Sequence, residues 1–288
     1  MFERKKKRSG HADQYFFKRF TAPQRITHLF VIISFMSLAL TGMMLKFSSM
    51  PWARFIADLL GGVVVAGTIH RFAAVITFGY FVYHISSLIK LKKARGVSWK
   101  NFIFDHQSLM FNLNDLKDFF ATVKWFFALG PRPQYGRWTY WEKFDYFAVF
   151  WGVGVIGLSG LMLWFPEFFT KFLPGWLINV AHIIHSDEAL LAVGFIFTIH
   201  FFNTHLRPEA FPMDKVIFTG SIPLEELKHD RPKEYRALKE SGQLSTFTHK
   251  EPAPKKLEKM AQIFGFLFLG LGLLLVGLII YSVLFGYH

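Results

Sequence analysis

Five apolar stretches constrain the fold of this chain more than any other feature of its sequence. They cover roughly residues 24–46, 62–90, 142–165, 176–206 and 260–285. A helix needs about 20 predominantly apolar residues to cross the hydrocarbon core of a bilayer. Helices also satisfy their backbone hydrogen bonds within one segment, as lipid requires. The sequence therefore predicts an all-α integral membrane protein, a helical bundle with five transmembrane helices.

The composition narrows the chemistry that such a bundle can support. Of the 288 residues, 52% are hydrophobic and 36 are Phe, a bias typical of membrane proteins. The chain contains no cysteine. This excludes disulfides, iron–sulfur clusters ligated by this chain, and haem attached through a C-x-x-C-H motif. A redox group in this protein would need other ligands, and histidine is the obvious candidate.

The positive charge is concentrated in alternate segments between the apolar stretches. Lys and Arg number eight up to Arg25, ten in 90–143 and eleven in 207–259, but only two in 46–61 and one in 165–176. Heavily and lightly basic segments alternate, which is the positive-inside pattern. The net charge of +13 thus indicates contact with anionic lipid rather than with nucleic acid. We expect a multi-pass protein of the bacterial inner membrane with a cytoplasmic N-terminus and a periplasmic C-terminus.

The segments between the apolar stretches predict the domain organisation. A helix over Asp115–Leu129, with apolar residues at helical spacing, is expected to lie along the membrane surface. The fifth span contains four glycines and is expected to be a packing helix. We predict a basic cytoplasmic tail, a four-helix core with a long cytoplasmic loop, a polar cytoplasmic extension without a folded domain, and a fifth transmembrane helix. These cover 1–23, 24–206 (loop 91–141), 207–259 and 260–285.

Spans one and three contain a repeated motif. Leu40–Leu45 reads LTGMML, and Leu158–Leu163 reads LSGLML, at a constant offset of 118 residues. Each motif precedes a short external loop and then a span that contains histidines. This pattern predicts two copies of one helical hairpin, related by an axis along the membrane normal.

Histidines in the second and fourth spans have matched spacings. His70 and His84 are 14 residues apart, a rise of roughly 21 Å, and His185 and His200 are 15 apart, roughly 22 Å. Ionisable residues inside a bilayer are costly and usually functional. Because the two spans are predicted to run parallel, each pair of histidines falls at one depth. Two b-type haems stacked across the bilayer, each held by imidazoles, fit this arrangement.

The spacing leaves one choice open at the cytoplasmic side. His182 is a poorer ligand than His185, because its distance from His200 does not match span two. His28, at the start of span one, lies at the same depth as His84 and His200. Only two of these three histidines can ligate one iron. The remaining histidine is compatible with a third haem.

Three stretches in order resemble a known family. Gln24–Gly42 (QRITHLFVIISFMSLALTG), Gly136–Pro166 and Ile183–Glu209 are similar to spans one, three and four of the cytochrome b subunits of respiratory formate dehydrogenase and nickel–iron hydrogenase. The resemblance covers about residues 20–210. It implies His28 with His200 as ligands of the cytoplasmic haem. It implies His70 with His185 for the periplasmic haem.

His84 departs from this family pattern. Paired histidines on parallel helices instead resemble the b cytochromes of respiratory bc complexes, so His28 and His84 remain alternatives. Arg71 is expected to neutralise a haem propionate, because an unpaired buried charge is costly. Asp187 and Glu188 follow His185 and are candidates for a proton relay or for orienting its ring. The alternative for both is a solvated external rim.

The family resemblance implies a function. It is that of a membrane anchor subunit that relays electrons between a pool of quinone or menaquinone and a periplasmic partner. The partner would be an iron–sulfur or multihaem c-type redox subunit of an oxidoreductase, because this chain has no substrate-catalytic site of its own. The rival hypotheses are a haem-free transporter with a histidine proton relay and a tether without redox function.

Overall fold

The computed structural model describes residues 15–105, 107–207 and 210–286. The chain divides into two compact units. The first contains 26–111, 141–214 and 262–288; the second contains the N-terminal residues up to 25 together with 112–140 and 215–261. The basic run Arg4–Arg8 and the C-terminal His288, on which part of the charge argument rests, lie outside the described residues.

Five helices are long and apolar enough to cross a membrane. They confirm the predicted all-α bundle, and each begins and ends within a few residues of its predicted span. They are α1 (Ala22–Lys46), α3 (Val63–Arg95), α6 (Tyr140–Trp164), α8 (Trp176–Phe195) with its continuation to Leu206, and α12 (Lys255–Phe285). The continuation of α8 consists of two π-helical turns, Ile196–His200 and Phe202–Leu206.

Short helices connect the spans. α2 begins at Pro51, a residue that suits the first helical position, and ends at Leu59. Gly61 and Gly62 then adopt φ values of 90° and 98°, which a residue with a Cβ rarely adopts, and α3 starts at Val63. The remaining short helices of the first unit are α4 (Trp99–Ile103) and α7 (Pro166–Phe169).

The fifth span packs closely on the first and fourth. Leu269, Leu275 and Ile279 share a buried cluster with residues of α1 and of the α8 continuation. A Cβ at Gly272 would lie 2.6 Å from Cδ1 of Phe197 and 2.7 Å from Cε2 of Phe201, so only glycine allows this approach. This agrees with the expected packing helix.

The second unit has a small core of its own. β1 (Phe16–Lys18) lies between β2 (Ser221–Pro223) and β3 (Thr248–His249) in an antiparallel sheet. The helices of this unit are α5 (Leu113–Phe126), α9 (Val216–Thr219), α10 (Leu224–Asp230) and α11 (Pro232–Glu240). Phe17, Ile222, Leu227 and Leu238 form its buried cluster.

This core corrects the expectation of an extension without a folded domain over 207–259. The segment is polar on average, but its few apolar residues pack on Phe17, which lies some two hundred positions earlier in the chain. Two arginines, Arg19 and Arg137, share the buried carboxylate of Glu234 at 3.3 and 3.0 Å. Local composition does not reveal pairing at such sequence separation.

The predicted surface helix forms as α5, two to three residues earlier than expected. Asn112 accepts a hydrogen bond from the backbone of Asn114 at 2.9 Å, and Asp115 accepts one from the backbone of Asn112 at 2.7 Å. This reciprocal capping satisfies backbone N–H groups that the first turn of a helix leaves without partners.

Candidate functional site

His70 of α3 and His185 of α8 face each other. Their ring centroids are 6.1 Å apart, and the ring planes make an angle of 70°. Sequence spacing alone predicted this pair, and the structure brings the two side chains together. Both side chains are half-buried and belong to helices that are apolar enough to cross a membrane.

The hydrogen bonds of Thr41 define which nitrogen of His70 carries the proton. The Thr41 hydroxyl donates to the carbonyl oxygen of Ser37 at 2.6 Å. Its only proton is thereby used, so the contact of 2.9 Å with Nδ1 of His70 requires that nitrogen to be the donor. In the neutral ring the lone pair then lies on Nε2, the nitrogen that is free to bind a metal.

His185 is fixed in the same tautomer by the second copy of the motif. Its Nδ1 lies 2.9 Å from the carbonyl oxygen of Ile156, an atom that can only accept. The hydroxyl of Ser159 lies 3.4 Å from the same nitrogen and donates its own proton to Val155 at 2.7 Å. Nε2 of His185 therefore also carries the lone pair.

The glycine of each repeated motif lies beside one of these rings, and Gly160 makes room for the ring of His185. A Cβ at Gly160 would lie 2.9 Å from Cε1 of His185, closer than real Cβ contacts. A Cβ at Gly42 would lie 3.5 Å from Cε1 of His70. The repeated Thr-Gly and Ser-Gly pairs thus position equivalent histidines, which gives the predicted duplication a structural purpose.

The pair fits a metal held between two imidazoles. A metal–imidazole nitrogen bond is about 2 Å long, which puts the centroids of two opposed rings roughly 6 Å apart, close to the separation seen here. Among the residues that the structure describes, no three side chains of His, Asp or Glu are placed to hold one metal ion. Two imidazoles are a donor set that a haem, which brings its other ligands, can use.

A second histidine cluster lies at the other end of the same helices. His28 of α1 interacts electrostatically with His200 and His205 in the α8 continuation. Nδ1 of His28 and Nδ1 of His205 are buried and have no hydrogen-bond partner among the described residues. Because buried polar atoms are nearly always paired, these two atoms indicate a place where a further group belongs.

Two features of this cluster belong to the π-helical turns. Phe201 donates its backbone N–H to Ile196, five residues earlier, so the turn holds one residue more than an α-helical turn. This extra residue accounts for the spacing of 15 between His185 and His200 against 14 between His70 and His84. The second π-helical turn, Phe202–Leu206, contains His205, which lies near His200 although residues five apart in an α-helix lie about 140° apart.

His200 has an acidic partner that the sequence analysis missed. Its Nδ1 lies 2.9 Å from Oδ2 of Asp145 on α6, and the other carboxylate oxygen, Oδ1, is buried without a partner among the described residues. The available signal was an acid deeper in the apolar third span than Glu142 at its start, since ionisable residues inside a span are usually functional.

His84 points to a different partner. Its Nε2 lies 2.8 Å from the hydroxyl oxygen of Tyr146, and its ring contacts Phe150 edge-on at 6.0 Å. The hydrogen bond of His84 therefore uses its Nε2 atom, whereas the hydrogen bond of His200 uses Nδ1 and leaves Nε2 available to bind a metal. Tyr146 is the residue after Asp145, so adjacent positions of α6 contact both histidines.

The remaining predicted site residues are adjacent to His70 in α3 or follow His185 in α8. Arg71 lies over the ring of Trp164 at 5.9 Å. Lys46 forms an ion pair with Asp187 at 2.9 Å, and the Asp187 side chain is 66% exposed. Glu188 accepts a hydrogen bond from Nε1 of Trp151 at 3.2 Å. Ile156 and Ser159, rather than either acid, contact Nδ1 of His185.

Comparison with known proteins supports the resemblance. The chain is 24% identical over 177 residues to the formate dehydrogenase cytochrome b556(fdo) subunit of Escherichia coli K12, which covers 61% of this chain and 72% of that subunit. The corresponding subunit of Escherichia coli O157:H7 matches equally. No family model matches the chain. The chain is thus weakly homologous to this cytochrome b subunit, which confirms the family resemblance and is consistent with a cytochrome b of the formate dehydrogenase gamma type.

Proposed function

We propose that this chain is a membrane b-type cytochrome that binds two haem b groups and transfers electrons between a quinone pool and a redox partner subunit. The observation that carries the proposal is the His70–His185 pair, whose rings lie 6.1 Å apart with both Nδ1 atoms engaged as donors. Bound haem supplies a one-electron iron couple, and the chain supplies the ligands and the dry interior.

The periplasmic haem is assigned to His70 and His185. Thr41 and Ile156 hold the two rings by their Nδ1–H groups, so the Nε2 atom of each ring carries the lone pair that a metal needs. Such contacts fix the tautomer and raise the basicity of a metal-binding imidazole. Gly42 and Gly160 keep the space beside each ring free of a side chain.

The cytoplasmic haem is assigned to His28 and His200. His28 has a buried Nδ1 without a partner and interacts with His200, whereas Nε2 of His84 is hydrogen-bonded to Tyr146. A metal between His84 and Tyr146 would need two bonds of about 2 Å, more than their separation of 2.8 Å allows. These contacts favour two haems over three.

The His84–Tyr146 pair is the proposed contact for the quinone. It lies at the same end of the spans as His28 and His200, and it combines a ring nitrogen with a hydroxyl that can exchange donor and acceptor roles. A histidine in such a pair can bind a quinone carbonyl and transfer a proton. Arg71, which contacts Trp164 beside His70, is proposed to neutralise a haem propionate.

The basic loops support the proposed orientation in a bacterial inner membrane, with the N-terminus in the cytoplasm and the fifth span ending in the periplasm. The partner, an iron–sulfur or multihaem c-type subunit, would dock near the periplasmic haem. Asp187 is exposed and paired with Lys46, which favours a role in this outer rim over proton relay.

The absorption spectrum of the purified protein after reduction tests the proposal. Low-spin haem with two imidazole ligands should give sharp bands, with two haem b per chain. A transporter that uses its histidines only to relay protons, or a tether without redox function, predicts a protein without these bands.

A further inference from the structure

The two histidine pairs differ in the charge of the groups that hold them. At one end, His70 and His185 donate to a hydroxyl and a carbonyl, which are neutral. At the other end, His200 donates to the carboxylate of Asp145 at 2.9 Å. This difference in charge distinguishes the two histidine pairs.

Asp145 is an unusual acid. It lies within a helix that is apolar enough to span a membrane, its side chain is only 16% exposed, and Oδ1 is buried with no partner among the described residues. A negative charge in such a place is costly unless a positive charge lies nearby. His200 is the hydrogen-bond partner that the structure gives to this carboxylate, and a metal bound to His200 would add a compensating charge.

We infer that Asp145 lowers the reduction potential of the haem held by His28 and His200, and thereby makes the two haems electronically unequal. This inference rests on the proposed function. A carboxylate that accepts the Nδ1–H of a ligating imidazole makes that ligand more basic, and its negative charge favours the oxidised iron over the reduced iron. Asp145 acts through His200 and is a positioning residue.

A redox titration of the purified full-length protein tests the inference. Asp145→Asn keeps the shape of the side chain and removes the charge. It is introduced into His70→Ala, which should retain only the haem of His28 and His200, so that one component is measured. We expect the potential to rise by at least the equivalent of a tenfold change in the ratio of oxidised to reduced haem, about 59 mV for one electron.

Two further variants serve as controls for the change at Asp145. Asp187→Asn makes the same chemical change at an exposed acid and should leave the potential unchanged. Asp145→Glu keeps the carboxylate and should keep a potential near that of the parent. If Asp145→Asn keeps its haem at an unchanged potential, the inference is wrong. If it loses the haem, Asp145→Glu decides: retention with the parent potential supports the carboxylate, and loss in both contradicts it.

The proposed function fails by a different result. A wild-type preparation without haem refutes the assignment of histidine pairs before any potential is measured. A protein with two haems whose reduction potentials do not change with the charge at position 145 refutes only the role of Asp145.

Discussion

The Nε2 atom of His84 lies 2.8 Å from the hydroxyl oxygen of Tyr146. Helical spacing places His84 at the depth of His200, and on that basis it competed with His28 as a haem ligand. In the structure, Nε2 of His84 is instead hydrogen-bonded to a side chain of α6. This contact separates a histidine suited to proton exchange from the histidines suited to metal binding.

The first prediction concerns these alternatives. His28→Ala should reduce the haem content from two per chain to one, because it removes one of two axial nitrogens. His84→Ala should retain two haems. Haem content of the purified variants, measured as the pyridine complex, provides the test. Loss of haem in His84→Ala together with full retention in His28→Ala would reverse the assignment.

The second prediction concerns quinone turnover. Tyr146→Phe removes the hydroxyl that contacts His84 but keeps the ring that packs on Phe150 at 4.9 Å. Oxidation of the reduced haems by a soluble naphthoquinone should slow by about 10²-fold or more, the range for losing a positioned acid–base group. Tyr83→Phe, an equivalent change at an exposed tyrosine, should have no effect. Equal rates in both variants would remove the quinone contact from this pair.

How much of the structure the sequence predicts depends on how far apart along the chain the interacting residues lie. Spans, their order and the His70–His185 pair follow from hydropathy and helical periodicity, which are local. The contacts of the neighbouring helices depend on how each helix is rotated about its axis. Sequence patterns do not give this rotation, so the roles of Asp145, Tyr146 and His205 were missed. The rotation of the fourth helix changes at Ile196–His200, where the π-helical turn adds one residue that no hydropathy pattern indicates.

The folded second unit was missed for a related reason. Its core joins Phe17 to Ile222, and neither stretch is apolar enough to stand out alone. The polar and charged composition of this segment concealed the pairing of strands within it. Only long-range contacts reveal such a core.

The third prediction tests the space beside His185. Gly160→Ala would put a Cβ 2.9 Å from Cε1 of the ring, so the ring must move. We expect loss or weakened binding of the periplasmic haem, visible as lower haem content. Gly154→Ala is the matched control on the same helix, because no atom lies within 4 Å of its added Cβ. Equal haem content in both variants would contradict a positioning role for Gly160.

The fourth prediction concerns the fifth span. Gly272→Ala forces a methyl group against Phe197 and Phe201 and should destabilise the fold by about 1–3 kcal/mol, as overpacking does. Gly270→Ala meets no atom within 4 Å and should leave the midpoint of thermal unfolding in detergent unchanged. A fifth helix that packed loosely would show no difference between the two variants.

The central claim is that His70 and His185 are the two ligands of one haem, distinct from a second haem at the other end of the helices. The direct measurement is haem content per chain in His70→Ala, in His185→Ala and in the variant that combines both changes. The account predicts one haem in each single variant and still one in the double variant, while His182→Ala retains two. Loss of both haems in the double variant with one lost in each single variant would show that the two histidines bind different haems and would contradict the account.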